Sequence, residues 1–456
     1  MNYYKRILAV CLSVTVLAGL LGGCESLNVL QQEASEEEAF VGLESEPDLS
    51  YEVPKSTVGI LVNQIGYKPK EDKVIIFQGK EIPETFSVIS REDGKCVYQG
   101  VVEREDKVGY GDFTDFEQEG VYQIYCEKLG NSYPFQIKED LYTEWSNSYF
   151  DSLKECFGEE TEVVSKAVSM LMFSYELCPD VFIEESEPGQ SSLDKRLALA
   201  YEFCVKLLEN QKIDGSIASI LREAGEEDNA GEPDINSTFL LAACMAKFSY
   251  LYQTYDNQTA NQCLKAADKA WKYARAAVIS NSQTEYDSTY QFFAAAELFR
   301  STGAYQYHLE AKDYIQTYEQ YDLDNEVQLL GLMTYLSTKR KVDIELCNEI
   351  MKQIMAASEE ISKKSKQSLY LAESDSGEDL DSLLWDMVIL SISDSVLSTK
   401  EYATVLENHV HFLLGRNQRA VSYLSVEGSD YIDDTMQIEN HLERSIDFLF
   451  LLSNMA

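Results

Sequence analysis

The sequence predicts two folded domains in one chain: a small β-sandwich, then an all-α domain of about twelve helices. Two observations carry this. Between 58 and 138, short alternating or apolar runs are broken by turn residues at regular spacing. From 141 onward the apolar period becomes helical, and no strand-like run interrupts it. Helices in that number suit six helical hairpins closing into a toroid. An open α-solenoid is the alternative, but no fixed-period repeat is apparent.

Taken in order, the chain begins with an export signal over residues 1–23. Lys5 and Arg6 form a basic start, and 7–21 form an apolar run too short for a membrane span. It ends in Leu21-Gly22-Gly23-Cys24, which is similar to a bacterial lipobox; an ordinary cleaved signal is the alternative. Acyl chains on Cys24 would anchor the protein to a membrane without crossing it. Residues 24–56 read as a disordered tether, because Glu33, Glu36, Glu37, Glu38, Glu44, Glu46 and Asp48 leave little to pack.

The sandwich is expected over 57–139. Its runs fall at 59–62, 74–77, 86–90, 96–101, 121–126 and 133–137, with turns at Lys68-Pro69, Asp93-Gly94, Glu119-Gly120 and Gly130-Asn131. The helical domain is expected over 140–456. Its amphipathic segments fall near 141–157, 161–178, 191–211, 235–255, 258–277, 287–302, 305–317, 323–338, 344–361, 379–394, 398–414 and 438–455.

Charge narrows the partners. The net charge is −40, and losing Lys5 and Arg6 with the signal makes it two more negative. Such a chain repels phosphates, which argues against nucleic acid. Eight cysteines besides Cys11 and Cys24 show no CxxC pair, and no His-rich spacing accompanies them. That argues against a structural metal site, and nothing in the sequence calls for a cofactor. Most of these cysteines lie within apolar helical patterns and read as small buried hydrophobes.

Several strings resemble one family. Leu61-Val62-Asn63-Gln64-Ile65-Gly66-Tyr67-Lys68-Pro69, then Asp112-Phe113-Thr114 and Gly120-Val121-Tyr122, look like the immunoglobulin-like module preceding many family 9 glycoside hydrolases. Ser174-Tyr175-Glu176-Leu177-Cys178-Pro179, Ala294-Ala295-Ala296-Glu297-Leu298-Phe299-Arg300-Ser301-Thr302-Gly303 and Leu413-Leu414-Gly415-Arg416-Asn417 are similar to strings of that family's catalytic domain. The resemblance implies an immunoglobulin-like sandwich followed by an (α/α)6 toroid that cuts cellulose-type polysaccharides.

Inverting hydrolysis needs a protonated acid on one side of the scissile bond and a base for water on the other. By resemblance the acid opens the last helix, and Glu443 falls on it. Glu439, Glu443 and Asp447 share one helical row, and a simply solvated acidic face is the alternative. The family's paired aspartates before its second helix are absent, so no base is identified. Glu159, Glu160 or Glu162 could stand in, although a charged helix start explains them as well. Ser425-Val426-Glu427-Gly428-Ser429-Asp430-Tyr431 replaces the family's sugar-gripping histidines. Arg416, Asn417 and Tyr423 are the candidates for substrate contact. Trp145, Trp271 and Trp385 all sit in helical patterns, leaving few obvious sugar platforms. The expectation is an exported, lipid-anchored protein that binds a β-glucan or another glycan with impaired catalysis. An active inverting endo-β-1,4-glucanase with a non-standard base, and a purely structural envelope lipoprotein, are the alternatives.

Overall fold

The computed structural model describes residues 59–455 apart from 143–148, 151–152, 154–157, 180, 184–192, 223–230, 281–285, 373–378, 398–399, 425–437 and 439–440. The export signal with Cys24, the tether, Trp145, Cys156, the 425–431 stretch and Glu439 therefore lie outside the described residues.

The N-terminal domain is built from β1 (Ile60–Leu61), β2 (Gly66–Tyr67), β3 (Val74–Gln78), β4 (Thr85–Ser90), β5 (Cys96–Glu105), β6 (Val108–Asp112), β7 (Gly120–Cys126), β8 (Gly130–Asn131) and β9 (Phe135–Ile137). The hydrogen-bonded order is β1-β3-β6-β5-β4-β7-β9-β2, with β8 on β7. β5 serves both layers: Cys96 to Val101 pairs with β4, and Val102 to Glu105 pairs with β6. Between the layers lie the rings of Tyr67, Phe77, Phe86, Phe113 and Phe135.

All six expected runs contain strands. β6 was not expected, because its sequence Val-Gly-Tyr-Gly-Asp dilutes the apolar alternation. The missing side chains have a packing reason: a Cβ on Gly111 would come within 2.7 Å of the Phe86 ring, and one on Gly100 within 2.4 Å. Glycine at those positions lets the ring fill the space between the layers.

The described residues of the C-terminal domain form eleven helices and no named strand: α1 (Thr161–Leu177), α2 (Lys195–Asn210), α3 (Ile235–Tyr252), α4 (Asn257–Ser280), α5 (Ser288–Thr302), α6 (Tyr305–Thr317), α7 (Glu326–Ser337), α8 (Ile344–Gln367), α9 (Leu380–Val396), α10 (Ala403–Leu413) and α11 (Leu442–Met455). The first expected segment, 141–157, is described only in part, and its Leu141, Tyr142, Tyr149, Phe150 and Leu153 are buried. Helix starts follow the local chemistry. Asp194, Asp234, Asp287, Asn325, Asp343 and Asp379 each cap a helix by accepting a backbone N–H.

Alternate helices differ in kind. α3, α5, α7 and α9 are buried nearly all round, whereas α2, α4 and α8 bury a single stripe. The first kind packs as an inner series: α11 on α1, α1 on α3, α3 on α5, α5 on α7, and α9 on α11. Trp385 of α9 donates its indole N–H to the Leu323 carbonyl just before α7, at 2.7 Å. The one-faced helices lie outside: α2 against α1, α4 against α3, α6 against α5, α8 against α9.

The two domains share a dense polar seam. The Gln64 amide N–H donates to the Leu414 carbonyl at 2.8 Å, and the Gln64 side chain donates to the Ala420 carbonyl at 2.9 Å. Asn63 Nδ2 lies 3.0 Å from His411 Nδ1, and the Tyr67 ring packs 4.9 Å from that imidazole. Gly415 adopts φ of 122°, and a Cβ there would meet Gln64 Nε2 at 2.6 Å. Only glycine suits both the backbone and the space.

Candidate functional site

Three helix starts and one neighbouring helix bring the charged residues together. Glu162 and Lys166 lie one turn apart at the start of α1, Glu326 opens α7, and Glu443 and Asp447 lie one turn apart at the start of α11. The start of α1 is held rigidly. The Thr161 N–H donates to the Ser219 carbonyl at 2.8 Å, its hydroxyl to the Ala218 carbonyl at 2.6 Å, and Glu160 bridges to Ile220. Asn325 caps α7 just before Glu326, accepting from the Gln328 N–H at 3.0 Å. Arg444 bonds Asp381 at the start of α9, its Nη2 at 2.8 Å, which ties α11 to α9.

Lys166 is the hub. Its Nζ lies 2.9 Å from Glu162 Oε1, 3.6 Å from Glu326 Oε2 and 3.6 Å from Glu443 Oε1. Tyr290 of α5 donates its hydroxyl to Glu162 Oε1 at 2.7 Å. Glu162 and Glu443 are 40% and 46% exposed at their side chains, so solvent reaches both, while Lys166 is 18% exposed.

The electrostatics divide these groups. Burial works against the Glu162 charge, but hydrogen bonds from Lys166 and Tyr290 outweigh it and hold the carboxyl below its ordinary range. Burial also opposes the charge on Lys166, and the surrounding Glu326, Glu162 and Glu443 reverse that, raising it. Glu326 is pushed up to about 7, chiefly by burial, with Lys166 opposing the rise and Glu443 adding to it. Asp447 is raised well above the carboxylate range by burial and by the Glu326 and Glu443 charges. One ammonium thus serves four carboxyl groups, and two of them favour the protonated form.

The candidates named from sequence separate accordingly. Glu443 and Glu162 lie in the cluster, and Asp447 joins the same row; the backbones of Glu159 and Glu160 pair with Leu221 and Ile220, and both residues are exposed. Arg416, Asn417 and Tyr423 require a correction: all three are fully buried, so they do not face a substrate. Arg416 donates to the Val74 carbonyl of β3 at 3.3 Å and to Asn408 Oδ1 at 2.6 Å, while Asn417 bonds the Phe412 and Val421 carbonyls. The glycine turn at Gly415 pulls this stretch under the sandwich, so it holds the seam.

The two described tryptophans are not open platforms. Trp271 is wedged edge-on between Phe239 and Tyr307, and the Trp385 N–H is used on Leu323. Among the histidines, His409 and His411 are fully buried, and His441 is exposed. Desolvation pushes His409 down to about 4. The seven described cysteines are free thiols, five of them buried.

Sequence reasoning missed Lys166, Glu326 and Tyr290. The Glu162 to Lys166 spacing was a visible ion-pair signal, and Asn325-Glu326 a visible helix start. Nothing in the sequence joined them, because α1 and α7 meet only in the fold.

A second ionic cluster lies deeper among the same helices. Arg300 of α5 donates to both Glu176 oxygens at 2.8 Å and to Glu297 Oε2 at 2.7 Å. Lys247 of α3 sits 3.0 Å from Glu297 Oε1, which also accepts from the Thr334 hydroxyl at 2.6 Å. Glu176, Glu297 and Arg300 belong to the family-like strings, and the fold uses them for packing.

The comparisons agree with this architecture. The family described as Glycosyl hydrolase family 9 matches residues 222–443, ending on Glu443, and the one described as Cellulase N-terminal ig-like domain matches 55–131. No curated protein sequence matches the chain. Among solved structures, a metagenome-derived glycoside hydrolase family 9 endoglucanase is similar at TM-score 0.74 and 17% identity, covering 86% of this chain and 98% of that one. A single mutant of a thermostable endoglucanase from Alicyclobacillus acidocaldarius is similar at TM-score 0.71 and 17% identity, covering 88% and 99%. A Bacteroides ovatus family 9 protein is similar at TM-score 0.70 and 15% identity, covering 87% and 98%. Those identities speak to fold alone. The helical domain thus matches glycosyl hydrolase family 9 over 222–443, in a divergent form, and the cellulase-type immunoglobulin-like domain precedes it.

Proposed function

We propose that this chain is an exported, lipid-anchored family 9 protein that binds a β-glucan or related glycan and whose hydrolytic power is weakened. On this reading the helical domain closes as an (α/α)6 toroid, with its cleft where the starts of α1, α5, α7, α9 and α11 meet. Cys24 carries the anchor, 24–56 is the tether, and the sandwich over 57–139 supports the helical domain over 140–456.

The single observation behind weakened hydrolysis is the position of Lys166. Glu162 is the candidate base, since it shares Lys166 with Glu443. But the ammonium bonds Glu162 at 2.9 Å and reaches Glu443 at 3.6 Å, which bounds their oxygen separation at about 6.5 Å, the bottom of the roughly 6.5–9.5 Å that inversion requires. Water and the glycosidic oxygen need the space that Lys166 spans. A carboxylate clamped by an ammonium and a phenol is also a poor base.

One observation favours a second reading, an active inverting endo-β-1,4-glucanase with Glu162 as base and Glu443 as acid. The environment drives neighbouring carboxyl groups in opposite directions, Glu162 down and Glu326 up to about 7, a division that acid–base catalysis exploits. Reducing-end release on soluble β-1,4-glucans, measured beside glycan retardation in affinity gels, separates the two. Retardation with no release above Glu443→Gln supports the binding protein. Release abolished by Glu443→Gln establishes the glucanase. Neither retardation nor release leaves the structural lipoprotein.

A further inference from the structure

We infer that Lys166 is a built-in lock on the carboxyl cluster, and that removing its charge restores glycan hydrolysis. The inference rests on the glycan reading above. It is carried by geometry: one side chain from α1 reaches carboxylates on its own helix, on α7 and on α11, and so ties Glu162 and Glu443 to a single ammonium. Glu162 Oε1 is doubly held, by Lys166 at 2.9 Å and by the Tyr290 hydroxyl at 2.7 Å, which stabilises the carboxylate and weakens it as a base.

The rest of the cluster is already arranged to work without the ammonium. Asp447 and Glu326 sit within the same field of negative charge and already favour the proton. With Lys166 neutral, crowding of four carboxyl groups makes the cluster take up a further proton rather than remain fully charged. That proton is what an inverting hydrolase needs. Glu443 gives it to the glycosidic oxygen as the bond from that oxygen to C1 breaks. Water adds its oxygen to C1 from the opposite face, and the proton it loses passes to Glu162. Each turnover consumes one water, and solvent exchange restores both carboxyl groups. Lys166 is thus a positioning residue: it touches the acid and the base, not the sugar.

The test uses the full chain and a soluble β-1,4-glucan. Lys166→Met removes the charge at similar length, and Lys166→Gln, which keeps hydrogen-bond donors, covers the case in which methionine does not fold. Lys166→Arg keeps the charge. The expected result is reducing-end release rising on the order of 10- to 100-fold in Lys166→Met or Lys166→Gln, abolished by adding Glu443→Gln or Glu162→Gln, with no comparable rise in Lys166→Arg. A folded Lys166→Gln that binds glycan as the wild type does but releases nothing more overturns the lock and leaves the glycan reading standing. A rise shared by Lys166→Arg also overturns it, since loosened packing and not charge would be the cause. No glycan binding and no release in any form overturns the glycan reading and the lock together.

Discussion

Glu176, near the end of α1, shares its surroundings with Glu297, Lys247 and Arg300, two anions with two cations. Glu162, at the start of the same helix, shares Lys166 with Glu326 and Glu443, and Asp447 adds its field. The first cluster is almost wholly buried and its charges balance; the second is open to solvent and short of cations. A buried cluster must be neutral overall, because uncompensated charge in a low-dielectric interior is prohibitive. A cluster at a cleft can stay unbalanced, with protons making up the difference, and an unbalanced set of acids is one that can do chemistry.

That contrast can be broken by mutation. The largest effect is expected at the balanced end: Arg300→Leu strands Glu176 and Glu297 and should cost about 3–5 kcal/mol in urea unfolding. Glu162→Gln and Glu443→Gln, at the open end, should each change stability by less than about 1 kcal/mol, because half-exposed ion pairs contribute little. An Arg300→Leu protein as stable as the wild type would dissolve the distinction.

The next effect is pH dependence. A carboxyl raised in the folded state binds its proton more tightly there than in the unfolded chain. Its stabilisation is therefore full below the ordinary carboxylate range and is lost as pH climbs through the raised value. Glu326 at about 7 thus makes wild-type stability fall as pH rises from about 4.5 to 7, and Glu326→Gln should flatten that fall. The Glu71 carboxyl at the seam, raised to about 7 by burial, contributes a slope of the same sign that persists in Glu326→Gln. Melting temperature against pH checks both. The smallest effect belongs to the seam: Tyr142→Phe removes the hydroxyl that donates to Glu71 Oε1 at 3.0 Å, and should cost about 1 kcal/mol, without altering any glycan binding.

Much of the fold was readable because it depends on local periodicity and caps. The asparagine or aspartate before each of six helices, the helical period and the Gly303 ending at φ of 74° are all features of neighbouring residues. Even the division into inner and outer helices was present in the sequence, since α3 and α7 are apolar all round and α4 and α8 are not. β2 and the glycine-diluted β6 were not readable, because they pair with β9 and β3 far along the chain, and β8 was not because two residues carry no alternation.

The site shows the same limit more sharply. Glu443 stands out through its position in a family-like string, yet Arg416, Asn417 and Tyr423 stand in strings just as family-like and are buried, Arg416 reaching across to β3 and Asn417 bonding its own loop. A string of residues carries the same letters whether it faces a cleft or a core, so sequence alone decided the likeness to family 9 in the helical domain and the sandwich before it. Tertiary structure decided which acids meet and that Lys166 stands between them. The reason is physical: the groups that set each proton's affinity come from α1, α5, α7 and α11, and their distances exist only once those helices have packed.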